Sequence, residues 1–243
     1  MLRPVEAEFA PRAQVFPGGR IDDDDTHPAW QALCDISPDE AARIAEDDDG
    51  DAADIPSALA FRLGAIREVF EETTVLLGSG GAELPEAEWT AAARTRVHTG
   101  GDSFRETVAA AGLRLHPGEM AYFARWVTPE GLPKRYDTRF YAAVMPEGQG
   151  ALAAPGEVES LEWITPAAAL ERADTNKTYT MPPTRAALTS LSRFHDVAAA
   201  MAGLPAARDL TPILPRILSG TGPSPDIRVV LPGEPGYDPE DPG

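Results

Sequence analysis

The chain has 243 residues, an apolar fraction of 43 % and a formal net charge of −18. That length fits one domain, or one domain with appendages, and the apolar fraction is enough for a core. The charge argues against binding a nucleic-acid backbone or an anionic membrane surface, both of which need Lys and Arg, and the lone Cys34 leaves no disulfide framework or cysteine-based zinc site.

In chain order, Phe16-Pro17-Gly18-Gly19 reads as a turn in which glycine can take positive φ and expose a backbone carbonyl. The stretch that follows is strongly acidic, with Asp22 to Asp25, Glu46 to Asp49 and Asp51. It is expected to be mostly a solvated loop with a short helix over Pro38–Ala45, started by Ser37 or Asp39. Trp30 is expected to anchor it by packing. A calcium-loop register with Gly50 at its sixth position fails, because Ala45 and Pro56 then occupy the first and twelfth positions. Asp22 and Asp25, nearest the glycine turn, are placed to approach a metal through water.

Ala58 to Leu77 is predicted to be helical, because Leu59, Leu63, Ile66 and Phe70 recur at helical spacing. Glu68, Glu71 and Glu72 then fall roughly opposite that stripe. Three carboxylates on one face repel one another, and Arg67, four residues before Glu71, cannot neutralise all of them. A hard divalent cation accounts for the cluster; a solvated acidic face is the reading that spacing alone leaves open.

Further helices are predicted over Glu86–Val97 and Ser103–Ala111, the second closed by Gly112. Met120–Val127 and Arg135–Val144 have strand composition, with a turn at Pro129-Glu130-Gly131. Arg125, Arg135 and Arg139 lie on or near these strands. They pair with surface acids or hold a substrate phosphate, with Arg139 the leading candidate. A helix is expected over Ala167–Ala173 and a last one over Thr184–Leu191, after Met181-Pro182-Pro183-Thr184. His195 reads as a surface histidine. The domain is expected to cover residues 1–195, followed by a Pro- and Gly-rich extension, 196–243, of extended segments with apolar patches at Ile213–Arg216 and Val229–Pro232. No apolar run spans a bilayer, no secretory signal is present, and Asp241-Pro242-Gly243 is not a peroxisomal address, which leaves the cytoplasm as the expected location.

Gly19, Asp25, Arg67, Glu68, Val69, Glu71, Glu72 and Val75 resemble the two halves of a Nudix box, G-x(5)-E-x(7)-R-E-U-x-E-E-x-G-U with U aliphatic. Gly19 and Arg67 are 48 positions apart where the box has 14, and the insertion is taken as 26–57. The split box, with W-x-T-P-x-G-x-P-x-R-Y-D-T-R-F-Y and M-P-P-T, is similar to the branch that contains the peroxisomal coenzyme A diphosphatases. The resemblance implies an α/β fold, an α/β/α sandwich around a mixed sheet. Met1–Pro4 then looks like the end of an N-terminal hairpin whose first strand is missing, either because the start is assigned too late or because the protein fills that sheet position differently.

The resemblance also implies hydrolysis of a nucleoside diphosphate linked to another moiety, with coenzyme A or acyl-CoA as the suggested substrate and Mg²⁺ or Mn²⁺ as the metal. By match to the box, Glu71, Glu72 and the Gly19 carbonyl bind metal. Glu68 is a third ligand or the general base, and Arg67 orients it. A carboxylate ahead of Trp163-Ile164-Thr165 often supplies a further ligand in this family, and Glu157 is favoured over Glu159. The expected partner is a small-molecule nucleotide, and a homodimer is compatible with this reading. The rival is a non-catalytic Nudix-like module that binds a nucleotide and acts through a partner. Two departures stand out: Asp25 replaces a Glu, and Thr74 replaces the Gly that ends the box helix, so that end is expected to close in another way.

Overall fold

The computed structural model describes residues 1–5, 11–46, 55–80, 87–129, 132, 134–175, 177–207, 211–219 and 227–238. In chain order these form β1 (Ala13–Gln14), α1 (Pro38–Glu46), α2 (Ile55–Thr73), β2 (Gly78–Gly80), α3 (Ala87–His98), α4 (Phe104–Ala110), β3 (Leu113–Leu115), β4 (Ala121–Val127) and β5 (Asp137–Ala142). Then come α5 (Pro166–Asp174), β6 (Tyr179–Thr180), α6 (Pro182–Leu191), α7 (Val197–Ala207), β7 (Arg216–Ser219) and β8 (Ile227–Val230). Elements α1 to α6, β4 and β5 fall where the sequence predicts them, within a few residues. Ser103 caps α4 by accepting from Glu106 N at 3.1 Å, and Gly112 closes that helix with φ +62°. Of the predicted turn, Glu130 and Gly131 lie outside the described residues.

The layers follow from side-chain alternation on β4 and β5, which pair antiparallel. One face meets α2. There Arg62 lies over Tyr141 at 5.1 Å, Arg139 over Phe61 at 3.4 Å, and Tyr122 packs on Tyr141 at 5.2 Å. The other face carries Phe123 and Phe140, which cluster with Ala187 and Leu191 of α6 and with Ala200, Met201 and Leu204 of α7. Helix, sheet and helix are therefore stacked, as an α/β/α sandwich requires. Pairing is mixed: β1 runs parallel to β6, while Leu2 bridges both Gln14 and Ser160 antiparallel. Met1–Pro4 thus lies between β1 and Ser160. The main core forms on the stripe of α2, where Leu59, Leu63, Ile66 and Phe70 are each at most 2 % exposed.

Two expectations are corrected. The insertion is not a plain solvated loop over its described part, because Trp30, Cys34 and Ile44 join the main core. The Trp30 ring lies 5.7 Å from Phe104, and its Nε1 donates to the Asp24 carbonyl at 2.8 Å. Asp35 N donates to Leu115 O and Leu115 N to Leu33 O, each at 2.9 Å, so the insertion adds a short backbone bridge beside β3. These apolar residues are too widely spaced to give a periodic signal. Asp47 to Asp54, with the Gly50 register, lie outside the described residues.

The extension is the second correction: it contains α7 and an antiparallel β7–β8 hairpin, so Thr184–Leu191 is not the last helix. Val197 to Ala207 carries no charged residue, so it shows no amphipathic pattern, yet Leu204 is buried in the second core cluster. Ile213 pairs with the outer edge of β4 through Ile213 N to Arg125 O at 2.9 Å and Val127 N to Ile213 O at 3.0 Å.

Trp30→Ala should cost about 3–5 kcal/mol, the range for emptying a large buried aromatic site, and lower the thermal midpoint by about 10 °C. A midpoint unchanged in a calorimetric melt would place the insertion outside the core.

Candidate active site

The acidic side of α2 is covered by the glycine turn. Gly18 N donates to Glu72 Oε2 at 2.8 Å, and a Cβ at Gly19 would collide with the Glu68 carboxylate. Gly19 is required because the backbone must come this close to an acidic side chain. The two halves of the box, far apart in sequence, therefore meet.

Arg67 ties them together. Its Nε and Nη2 donate to Asp25 Oδ1 and Oδ2, each at 3.1 Å. Its Nη1 donates to Glu68 Oε1 at 2.9 Å and Glu71 Oε1 at 3.1 Å, and Nη2 also reaches the Arg20 carbonyl at 2.6 Å. Asp25 is 1 % exposed and also accepts from Asp22 N at 2.8 Å. Burial would lower the Arg67 pKa, but the Asp25 bonds and the charges of Asp25 and Glu68 raise it overall. Asp25 was expected near the metal through water; instead both its oxygens face Arg67. Asp22 is exposed and lies 3.7 Å from Arg67. Gly64 makes room for this pair, since a Cβ there would sit 3.1 Å from Asp25 Oδ2. Sequence reasoning did not single out Gly64; its signal was a glycine inside a helix, which costs about 1 kcal/mol relative to Ala.

The C-terminal end of α2 keeps the left-handed conformation that the family's glycine would supply: Thr74 has φ +63°. The expectation of a different closure is corrected. A β-branched residue there is strained, and neighbouring bonds hold it. Leu152 N donates to Thr73 O at 2.8 Å, Ala154 N to Glu72 O at 3.0 Å, and Gln149 bonds both the N and O of Leu76 at 2.8 Å. The segment that closes the helix continues directly to Glu157. Helix α3 touches it twice, through Arg94 Nη1 to Ala153 O at 3.4 Å and His98 Nδ1 to Glu157 Oε1 at 3.5 Å.

Burial is the largest cause raising the Glu68 pKa; Arg67 opposes it, while Glu71 and Glu157 add to it. Burial likewise pushes Glu72 up to about 8, with Glu68 and Glu157 adding and the Gly18 bond and Arg3 opposing. Carboxylates withdrawn from water beside like charges, covered by a glycine turn, have the chemistry of a hard divalent-cation site. Among the described residues, no three acidic, histidine or cysteine side chains converge on one point. Glu68 and Glu71 face Arg67 and Glu72 faces Gly18, so these side chains would turn to meet an ion.

The other candidates are engaged with the fold. Arg125 makes a bidentate pair with Asp137 at 2.9 and 2.7 Å. Arg135 Nε donates to Thr128 O at 3.2 Å, and Arg139 lies on Phe61. Glu159 is exposed, with its backbone N bonded to Leu2 O. His195 is exposed and meets Asp196 at 3.1 Å. Burial pushes the Cys34 thiol up to about 12, which leaves it unreactive. Sequence reasoning missed Arg3, near enough to Glu72 to affect its charge, with a buried Nε that has no hydrogen-bond partner among the described residues.

A glycine turn seated on a helix that carries Arg-Glu-x-x-Glu-Glu, inside an α/β/α sandwich, defines a Nudix-type protein. Residues 1–191 match the NUDT19 Nudix domain, and the chain belongs to the Nudix hydrolase family. It is 28 % identical over 228 residues to the acyl-coenzyme A diphosphatase NUDT19 of Gallus gallus, covering 80 % of this chain and 60 % of that protein. The Homo sapiens acyl-coenzyme A diphosphatase NUDT19 is 28 % identical over 209 residues, with 72 % of this chain and 55 % of that protein covered. The chain thus spans little more than half the length of these curated relatives. The crystal structure of a Nudix hydrolase from Alicyclobacillus acidocaldarius superposes with a TM-score of 0.64 at 26 % identity, covering 84 % of this chain and 86 % of that one.

Asp25→Ala should destabilise the fold by about 3–5 kcal/mol, because it leaves the buried Arg67 without its bidentate partner; denaturant melts read this directly. The folded pKa of Glu72 lies above its unfolded value, so the native state binds the extra proton. The stability this contributes is full below the ordinary carboxylate pKa and is lost as pH rises through about 8. In EDTA, the thermal midpoint of the wild type should fall more steeply than that of Glu72→Gln between about pH 5 and 9. Equal slopes would contradict the burial of this charge.

Proposed function

We propose that this chain hydrolyses a diphosphate bond in a nucleoside diphosphate linked to another moiety, with coenzyme A or an acyl-CoA as the substrate class. The observation that carries the reading is the closure of the split box, with Gly18 and Gly19 seated on Glu72 and Glu68 and Arg67 spanning Asp25, Glu68 and Glu71. The names of the acyl-coenzyme A diphosphatase relatives support the substrate class.

Glu71, Glu72 and the Gly19 carbonyl are the groups to hold Mg²⁺ or Mn²⁺, with Glu157 the ligand from outside the box. The bound ion supplies neutralisation of the diphosphate oxygens and Lewis acidity toward water. Glu68, with its raised pKa, accepts the proton of the attacking water or serves as a third ligand. Arg67 Nη1 holds Glu68 Oε1 in place through a charge-assisted bond. Water adds to phosphorus as the bond to the bridging oxygen breaks, leaving a nucleoside monophosphate-type product and a second phosphate. Arg139, Arg135 and Arg125 remain proposed substrate contacts from the β4–β5 hairpin. A small-molecule nucleotide is the proposed partner and the cytoplasm the proposed location; among the described residues no helix is long and apolar enough to cross a membrane.

The rival reading is a nucleotide-binding module that acts through a partner without catalysis. A phosphate-release panel separates the two. It holds coenzyme A, acetyl-CoA, NADH, ADP-ribose, a diadenosine polyphosphate and a sugar nucleotide, each with Mg²⁺ and with Mn²⁺. The expected result is metal-dependent turnover of coenzyme A or acetyl-CoA, reduced at least about a hundredfold in Glu68→Gln, the scale of a lost general base. Folded protein that turns over nothing would move the conclusion to the binding module.

A further inference from the structure

The proposed reaction leaves the side chain of Arg20 unused. Its backbone carbonyl accepts from Arg67 Nη2 at 2.6 Å, so the residue is fixed to α2, and the preceding Gly19 abuts Glu68. The side chain is exposed. Among the described residues it forms no ion pair and no hydrogen bond, although the chain carries a net charge of −18. Its guanidinium lies 5.9 Å from the centre of the Tyr136 ring, within cation–π range.

Tyr136 is a firm platform. Its backbone N donates to Thr128 Oγ1 and its carbonyl accepts from Thr128 N, each at 2.9 Å, at the base of the β4–β5 hairpin. The hairpin also brings Arg135, which donates to the Thr128 carbonyl, to this end, while the charge of Arg125 is matched by Asp137. A guanidinium that uses its face against a ring keeps its N–H edge for a planar, two-oxygen acceptor.

We propose that Arg20, seated on Tyr136 beside the Gly19–Glu68 contact, binds a phosphoryl group of the nucleoside diphosphate substrate. This rests on the reading of the site as a diphosphate hydrolase. The acids of α2 repel such an anion, and Arg20 is the cation fixed next to them without a carboxylate of its own. The two sources of the phosphoryl group, a nucleotide and free pyrophosphate, share this chemistry.

The test measures ADP and inorganic pyrophosphate binding by calorimetry with Mg²⁺, and kcat and KM for coenzyme A, in the wild type, Arg20→Ala, Arg20→Lys and Tyr136→Ala. Arg20→Ala keeps the backbone carbonyl that bonds Arg67, so its thermal midpoint should stay within about 2 °C of the wild type. The expected result is a loss of about tenfold in ADP affinity and a similar rise in KM, with kcat changed less than about threefold. Arg20→Lys should recover part of the loss, and Tyr136→Ala should show a smaller one. An equal loss for pyrophosphate assigns the contact to the phosphates alone; a loss for ADP only assigns it to the nucleotide. ADP affinity and KM both within twofold of the wild type in Arg20→Ala would overturn the proposal while leaving the hydrolase reading intact. A wild type that neither binds ADP nor turns over coenzyme A would overturn both.

Discussion

The buried pair of Arg67 and Asp25 is the constraint on which the site depends. Both side chains are almost completely withdrawn from water, and the residues are 42 positions apart. Desolvating two charges is costly, and the cost is met only when the geometry is good and the remaining donors are satisfied. Arg67 satisfies its donors on Asp25, Glu68, Glu71 and the Arg20 carbonyl, so one guanidinium positions the insertion, the glycine turn and two of the box acids. Gly64 adds the missing space. Without the pair, the two halves of the box would keep, among the described residues, the Gly18–Glu72 bond and local packing to align them.

The other end of α2 is governed by backbone chemistry. Thr74 occupies a conformation that suits glycine, and the segment carrying Leu152 and Ala154 takes up the carbonyls that the helix end leaves open. The same segment brings Glu157 toward Glu68 and Glu72. The site therefore concentrates negative charge in a poorly solvated place, which is unfavourable without a cation. Arg67 offsets part of it by pairing with Glu68 and Glu71, and burial raises the proton affinity of Glu72.

Much of this was legible in the sequence. The stripe of Leu59, Leu63, Ile66 and Phe70 marked the buried face of α2, and the register of Gly19 with Arg67, Glu68, Glu71 and Glu72 marked the residues that meet. Other parts were hidden for physical reasons. Cys34 and Ile44 enter the core singly from an acidic stretch, so no period announces them, whereas Trp30 packs there as expected. The α7 helix is apolar on all sides, and a pattern without contrast reads like a loose tail. Asp25 could be matched to a position, but which group its oxygens would face depends on a contact across the insertion. Arg20 was invisible for a related reason: sequence gives the number of arginines but not which of them stand without an acid among the described residues.

The closure of α2 by backbone groups also bears on how this protein can change over time. Bonds from Leu152 N and Ala154 N do not depend on which side chains those positions carry. Substitution at the exposed Leu152 is therefore cheap, whereas adding or removing one residue between Ala154 and Glu157 would shift Glu157 out of step with Glu72. The acidic insertion behaves in the opposite way: Asp25 and Trp30 are held through their side chains, by Arg67 and by Phe104. Two neighbouring segments of one site are thus expected to diverge differently, one free in its side chain at Leu152 and the other bound to the identity of Asp25 and Trp30.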